Sequence, residues 1–128
     1  MGEGERFTIK KRARSFGYAF AGIGYVLRTQ HNAWIHAAIT LAVILLALWL
    51  EVSLVEWAIL VLAMMVVWVA EFVNTAVEMV IDLRAPEHEF FAGTAKDVAA
   101  GAVLVAALGA AAVGLLILGP PLLERIFR

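Results

Sequence analysis

Residues 33–50, A-W-I-H-A-A-I-T-L-A-V-I-L-L-A-L-W-L, contain no Lys, Arg, Asp or Glu. At about 1.5 Å of rise per residue, a helix of that length nearly covers the roughly 30 Å hydrocarbon core of a bilayer. Two more apolar stretches follow, from about Trp57 to about Val73 and from about Val98 to Leu118. The 128-residue chain is 63% hydrophobic and 16% charged. Soluble domains have about 45–50% apolar and about 25% charged residues, so a water-soluble globule does not fit. The expected fold class is an all-α membrane protein with three transmembrane helices.

The connections differ in kind. Glu51 to Glu56 is a short turn between the first two spans. The helical pattern of the second span continues without Gly or Pro to Leu83, which predicts a helix that projects past the lipid or ends in a protein-lined polar zone. Pro86 then breaks it and disfavours helical geometry at Ala85. The third span is rich in small residues, Ala99, Ala100, Gly101, Ala106 and Gly109, which allow close helix–helix approach in lipid, and Gly119-Pro120-Pro121 is expected to end it.

Ahead of the spans, Phe16, Phe20, Ile23 and Leu27 recur on one helical face, with Lys10, Lys11, Arg12 and Arg14 crowded at its start. That pattern predicts an amphipathic helix lying in the membrane surface, in preference to a solvated basic tail. Residues 1–32 are polar or amphipathic throughout, so the N-terminus is expected to be mature sequence and not a cleaved signal. The expected organisation is 1–32 as cytoplasmic N-terminus and surface helix, 33–118 as the three-span unit with a cytoplasmic loop at 83–97, and 119–128 as a short tail.

Arg6, Lys10, Lys11, Arg12, Arg14 and Arg28 precede the first span, the first turn has only acidic charges, and the second connection carries Arg84 and Lys96. The positive-inside rule therefore puts the N-terminus and the 83–97 loop in the cytoplasm, with Arg125 and Arg128 outside as the minor exception. A formal net charge of −1 with 10 Lys+Arg offers no field for nucleic acid. The absence of Cys excludes disulfides, thiolate nucleophiles and Cys-based metal sites.

The candidate chemistry lies at the end of the second span. Glu71, Asn74, Glu78 and Asp82 are spaced i, i+3, i+7 and i+11, so they share one helical face over about three turns. Carboxylates near lipid are expensive and repel one another, and a cation between them relieves both costs; hard oxygen ligands suit Mg²⁺. The bland reading makes Glu78 and Asp82 a solvated helix tip with Glu71 snorkelling, but Glu71 lies deepest. Two further polar clusters fall on the same side: Arg28 to Asn32 with His36 beyond, and Gly93 to Asp97. Lys96 either neutralises the stripe or binds phosphate oxygens held by a metal. His31 and His36, five apart, suit hydrogen-bonded interfacial roles better than a metal pair. Trp34, Trp49, Trp57 and Trp68 suit belt or packing roles. There is no G-x-x-x-x-G-K-[ST] loop and no protein-kinase signature. These residues by themselves define a cation-binding site at the inner membrane face.

In these motifs the chain resembles the small bacterial integral-membrane lipid kinases, the diacylglycerol kinase and undecaprenol kinase family. The likeness runs from about Arg12 to Leu118. It is carried by E-x-x-N-T-A-x-E-x-x-x-D-L at Glu71 to Leu83 and A-K-D-x-A-A-G-A-V-L at Ala95 to Leu104. R-S-F-x-Y-A-x-x-G at Arg14 to Gly22 and N-A-x-I-H at Asn32 to His36 support it. The resemblance implies an ATP- and Mg²⁺-dependent lipid kinase of the bacterial inner membrane. It also implies a homotrimer of three-span subunits with an amphipathic N-terminal helix, in which neighbouring chains share active sites. By position, Glu71 resembles the catalytic base and Glu78 a magnesium ligand that also faces the nucleotide. Lys96 and Asp97 resemble nucleotide contacts, and Asn74 an active-site amide. Lys11, Tyr18, Glu87, His88 and Glu89 occupy further nucleotide-contacting positions. Where the family pattern often has a metal-ligating Glu, this chain has Gln30, whose carboxamide offers an oxygen without charge. The acceptor is expected to be a lipid alcohol, undecaprenol slightly ahead of diacylglycerol. The alternative is a small oligomeric cation carrier or channel with an acidic cytoplasmic-side site, but the outer halves of all three spans are apolar and leave such a path incomplete.

Overall fold

A computed structural model of the chain describes residues 8–84 and 89–128. Four helices follow in order: α1 (Ile9–Thr29), α2 (His31–Leu50), α3 (Leu54–Arg84) and α4 (Glu89–Ile126). The three predicted spans appear as α2, α3 and α4, each long and apolar enough to cross a membrane. Large apolar side chains such as Leu41, Leu48, Leu62, Val69, Leu108 and Leu116 are exposed along all three. In water such a surface would aggregate, whereas in lipid it is the solvated one.

Local chemistry sets the breaks between helices. At the end of α2, Glu51 takes the left-handed conformation with φ 55°. Its N–H reaches the Leu48 carbonyl at 3.2 Å, and the Val52 N–H reaches that of Ala47 at 3.3 Å, which is a Schellman closure. Two residues on, the Ser53 N–H donates to Glu56 Oε2 at 2.7 Å while the Glu56 N–H donates to Ser53 Oγ at 3.3 Å, a reciprocal capping box that starts α3. Between α1 and α2 only Gln30 leaves helical geometry, its N–H closing on Val26 O at 3.0 Å.

α3 packs mainly on α4, while α1 makes only light contact with α2 and α3. Ala47, Leu50, Leu60 and Leu118 form a buried cluster at the turn between α2 and α3, flanked by Trp57, Ile117 and Leu122. Above it, α2, α3 and α4 line a half-open cavity of about 480 Å³ that extends to His36; His36 and Thr40 are its polar lining groups.

Two expectations are corrected. α4 does not begin at about Val98 but at Glu89, so residues 89–97 of the expected loop are helical. Hydropathy marks the part of a helix that lies in lipid, and this helix starts before that part. Nor does Gly119-Pro120-Pro121 end α4, which runs on to Ile126 with both prolines inside. Leu122 packs on the buried cluster, and the Arg125 guanidinium sits 5.2 Å from the Trp49 ring centroid, so packing and a cation–π contact hold the last turns where backbone bonding is interrupted. A Cβ added at Gly101 or Gly109 would meet nothing within 4 Å in this chain.

Candidate functional site

The acidic face of α3 is graded by burial. Glu71 is 1% exposed, Asn74 6% and Thr75 2%; Glu78 is half-buried and Asp82 exposed. Helical spacing places Thr75 one turn beyond Glu71, where its hydroxyl donates back to the Glu71 carbonyl at 3.0 Å. Asn74 Nδ2 donates to Glu78 Oε1 at 3.4 Å, linking those residues directly. Among the described residues three buried oxygens have no hydrogen-bond partner: Glu71 Oε1, Glu71 Oε2 and Asn74 Oδ1. Leaving a buried carboxylate without a hydrogen bond costs several kcal/mol in real proteins, so this arrangement does not serve the stability of the fold.

The wall opposite Glu71 comes from α2. His36 Nε2 lies 3.7 Å from Glu71 Oε2. The imidazole meets the Trp68 ring edge-on, with centroids 6.3 Å apart, and Trp68 Nε1 donates to Thr40 Oγ1 at 3.1 Å. Trp68 is thus a packing aromatic, stacked also on Phe72 at 5.9 Å. Further along the stripe, Lys96 on α4 forms an ion pair with Asp82 on α3, the neutralising role the sequence allowed for this lysine.

The structure therefore brings together Glu71, Asn74 and Glu78, and sets Lys96 against the last carboxylate of the same face. Lys11 and Tyr18 lie on the exposed surface of α1, and Glu89 and Asp97 are exposed on α4. Gln30 sits at the break between α1 and α2, its Nε2 on Thr29 Oγ1 at 3.3 Å. Glu87 and His88 fall outside the described residues. His36, Thr40, Trp68 and Thr75 were not expected in the site. Of these, His36 had a usable signal in its N-A-x-I-H motif, one helical turn inside the first span.

Among the described residues no three His, Asp or Glu side chains gather as a metal cage. The donors present are hard oxygens in small number, which suits Mg²⁺: it keeps several waters and binds through one or two carboxylates plus phosphate oxygens.

The molecule is thus a multi-pass membrane protein with a buried carboxylate–amide site at one end of its bundle. A family profile for prokaryotic diacylglycerol kinase matches residues 17–118. A diacylglycerol kinase of Synechocystis is 46% identical over 112 residues, covering 86% of this chain and 63% of the relative. An undecaprenol kinase of Bacillus subtilis is 40% identical over 117 residues, 91% of this chain and 95% of the relative. A diacylglycerol kinase of Escherichia coli is 34% identical over 91 residues, 65% of this chain and 74% of the relative. The chain belongs to the prokaryotic diacylglycerol kinase family, whose named members are alcohol phosphotransferases.

Proposed function

We propose that this chain is a lipid kinase that transfers the γ-phosphoryl group of ATP, with Mg²⁺, to the hydroxyl of a membrane lipid alcohol. The observation that carries this reading is Glu71. Its carboxylate is buried beside His36, which lines the apolar cavity, has no hydrogen-bond partner among the described residues, and stands about one to two helical turns from Asn74 and Glu78. A carboxylate held in that state has both oxygens available to accept a proton.

In the proposed reaction Glu71 takes the proton of the lipid hydroxyl as the new O–P bond forms and the bond to ADP breaks. Such a transfer asks the protein for in-line positioning and charge neutralisation more than for covalent chemistry. Glu78 and Gln30 would hold Mg²⁺, which supplies neutralisation of phosphate charge. Lys96 turns from Asp82 to phosphate oxygens, and Asp97, Glu89, Glu87, His88, Lys11 and Tyr18 contact the nucleotide. Several of these are exposed in one subunit, which supports a homotrimer with active sites completed by neighbours. The basic residues of α1 and its exposed Phe16 and Phe20 support a helix lying on the cytoplasmic face, with the site on that side.

Undecaprenol is the favoured acceptor, diacylglycerol the second. Support for this order comes from the N-T-A-x-E and N-A-x-I-H motifs and from the near-complete coverage of the Bacillus undecaprenol kinase. Purified protein in detergent with radiolabelled ATP and a panel of lipid alcohols tests the reading. Labelled lipid phosphate is expected, with the polyprenol turned over faster than the diglyceride. If no lipid alcohol takes up label, the kinase reading is wrong.

A further inference from the structure

Glu71 has a neighbour that the stripe on α3 does not supply. His36 reaches it from α2, with Nε2 3.7 Å from Oε2 and side-chain exposures of 15% and 1%. A carboxylate on a flexible side chain samples many orientations, and proton abstraction needs one. The surroundings of His36 restrict that freedom. Thr40, one turn further along α2, accepts the Trp68 indole N–H at 3.1 Å, and the Trp68 ring stands at 65° against the imidazole. The chain of contacts Thr40, Trp68, His36, Glu71 crosses between α2 and α3 and ends on the carboxylate. His36 also lines the 480 Å³ apolar cavity, so it stands between that cavity and Glu71.

We infer that His36 is a positioning residue for Glu71: it carries its ring proton on Nε2 and donates it to Glu71 Oε2, fixing the carboxylate so that Oε1 is the atom left for the acceptor hydroxyl. The inference rests on the kinase reading and goes beyond it, because it assigns a role to a residue outside the carboxylate stripe. The gap of 3.7 Å closes to a hydrogen bond with a small rotation of either side chain. Opposite Glu71, a histidine packed against an indole ring restricts orientation in a way that an unsupported water would not. Trp68 and Thr40 act through the imidazole and do not touch the carboxylate.

Two substitutions and one spectrum test this. His36→Leu keeps apolar bulk and removes the donor; it is expected to lower kcat about tenfold or more, the usual loss when a hydrogen bond to a charged group is deleted. The KM for Mg-ATP should stay within about twofold, since the nucleotide side of the site is untouched. His36→Gln keeps an N–H at similar reach and should recover most of the rate. In protein labelled with ¹⁵N-histidine, Glu71→Gln should shift the His36 ring signals and leave those of His31 in place. If His36→Leu does not assemble, the Gln variant and the spectrum still decide. A Leu variant with wild-type kcat, a Gln variant as impaired as a folded Leu variant, or His36 signals indifferent to Glu71→Gln would each overturn the inference. Wild-type protein that phosphorylates no lipid alcohol would instead overturn the kinase reading beneath it.

Discussion

The two ends of the helical bundle treat polar groups in opposite ways. At the α2–α3 turn every feature closes on itself: the Schellman bonds of Glu51 and Val52, the Ser53–Glu56 capping box, and the cluster of Ala47, Leu50, Leu60 and Leu118. At the other end Glu71 and Asn74 are just as buried, yet three of their oxygens have no hydrogen-bond partner among the described residues. The first end fixes the fold within one chain. The second keeps bonding capacity in reserve, and the proposed nucleotide, lipid alcohol and neighbouring subunits are what use it. Unsatisfied burial costs stability, and the hydrophobic end is built to tolerate that cost.

This contrast predicts that changes at the site alter activity with little loss of stability, and that changes at the closed end do the reverse. The largest effect is expected for Glu71→Gln. Turnover should fall by about 10²- to 10⁴-fold, the usual weight of a general base, while Mg-ATP binding persists and thermal stability holds or rises as the buried carboxylate is replaced by a neutral amide. Loss of nucleotide binding together with turnover would mark Glu71 as a ligand or structural residue and break the comparison.

Next comes the Lys96–Asp82 pair. Lys96→Met should raise the KM for Mg-ATP by about tenfold if the lysine meets phosphate oxygens in the working enzyme. Asp82→Asn should leave that KM unchanged or lower it, because it releases Lys96 from its partner on α3. Equal rises in both variants would reduce the pair to an exposed ion bridge that serves the helix contact.

Smaller again is Gln30→Glu, which should lower the magnesium concentration needed for half-maximal activity a few-fold by adding one negative ligand. A titration with no change in a folded variant removes Gln30 from the metal site. The smallest effect is expected at the closed end: Arg125→Ala should reduce stability by about 0.5–1 kcal/mol through loss of its contact with Trp49, with kinetics unaltered. Unfolding in detergent micelles, followed by tryptophan fluorescence, measures it.

How much of this was legible in the sequence depends on the range of the interaction. The face shared by Glu71, Asn74 and Glu78 follows from helical periodicity within one element, and the structure places it as spaced. The amphipathic face of α1 is equally local, set by spacing within one helix. The approach of His36 to Glu71 and the bond from Trp68 to Thr40 are not local. They depend on how far α2 and α3 rotate about their axes, and an apolar helix in lipid offers no hydrophobic stripe from which to read that rotation. The same limit explains α4, where composition showed the lipid-embedded length but not the hydrogen-bonded length.

The two prolines in α4 also bear on how deep the molecule sits. Proline offers no N–H, so the carbonyls of Leu116 and Ile117 lose the donors that residues 120 and 121 would ordinarily give them. Acyl chains supply no substitute, which draws these two groups toward water or lipid headgroups. Counting back from Ile117 to Asp97 along α4 gives about 30 Å of helix, the thickness of a hydrocarbon core. The proline pair and the charged Lys96-Asp97 step therefore work as depth marks, registering this helix between the two faces of the bilayer.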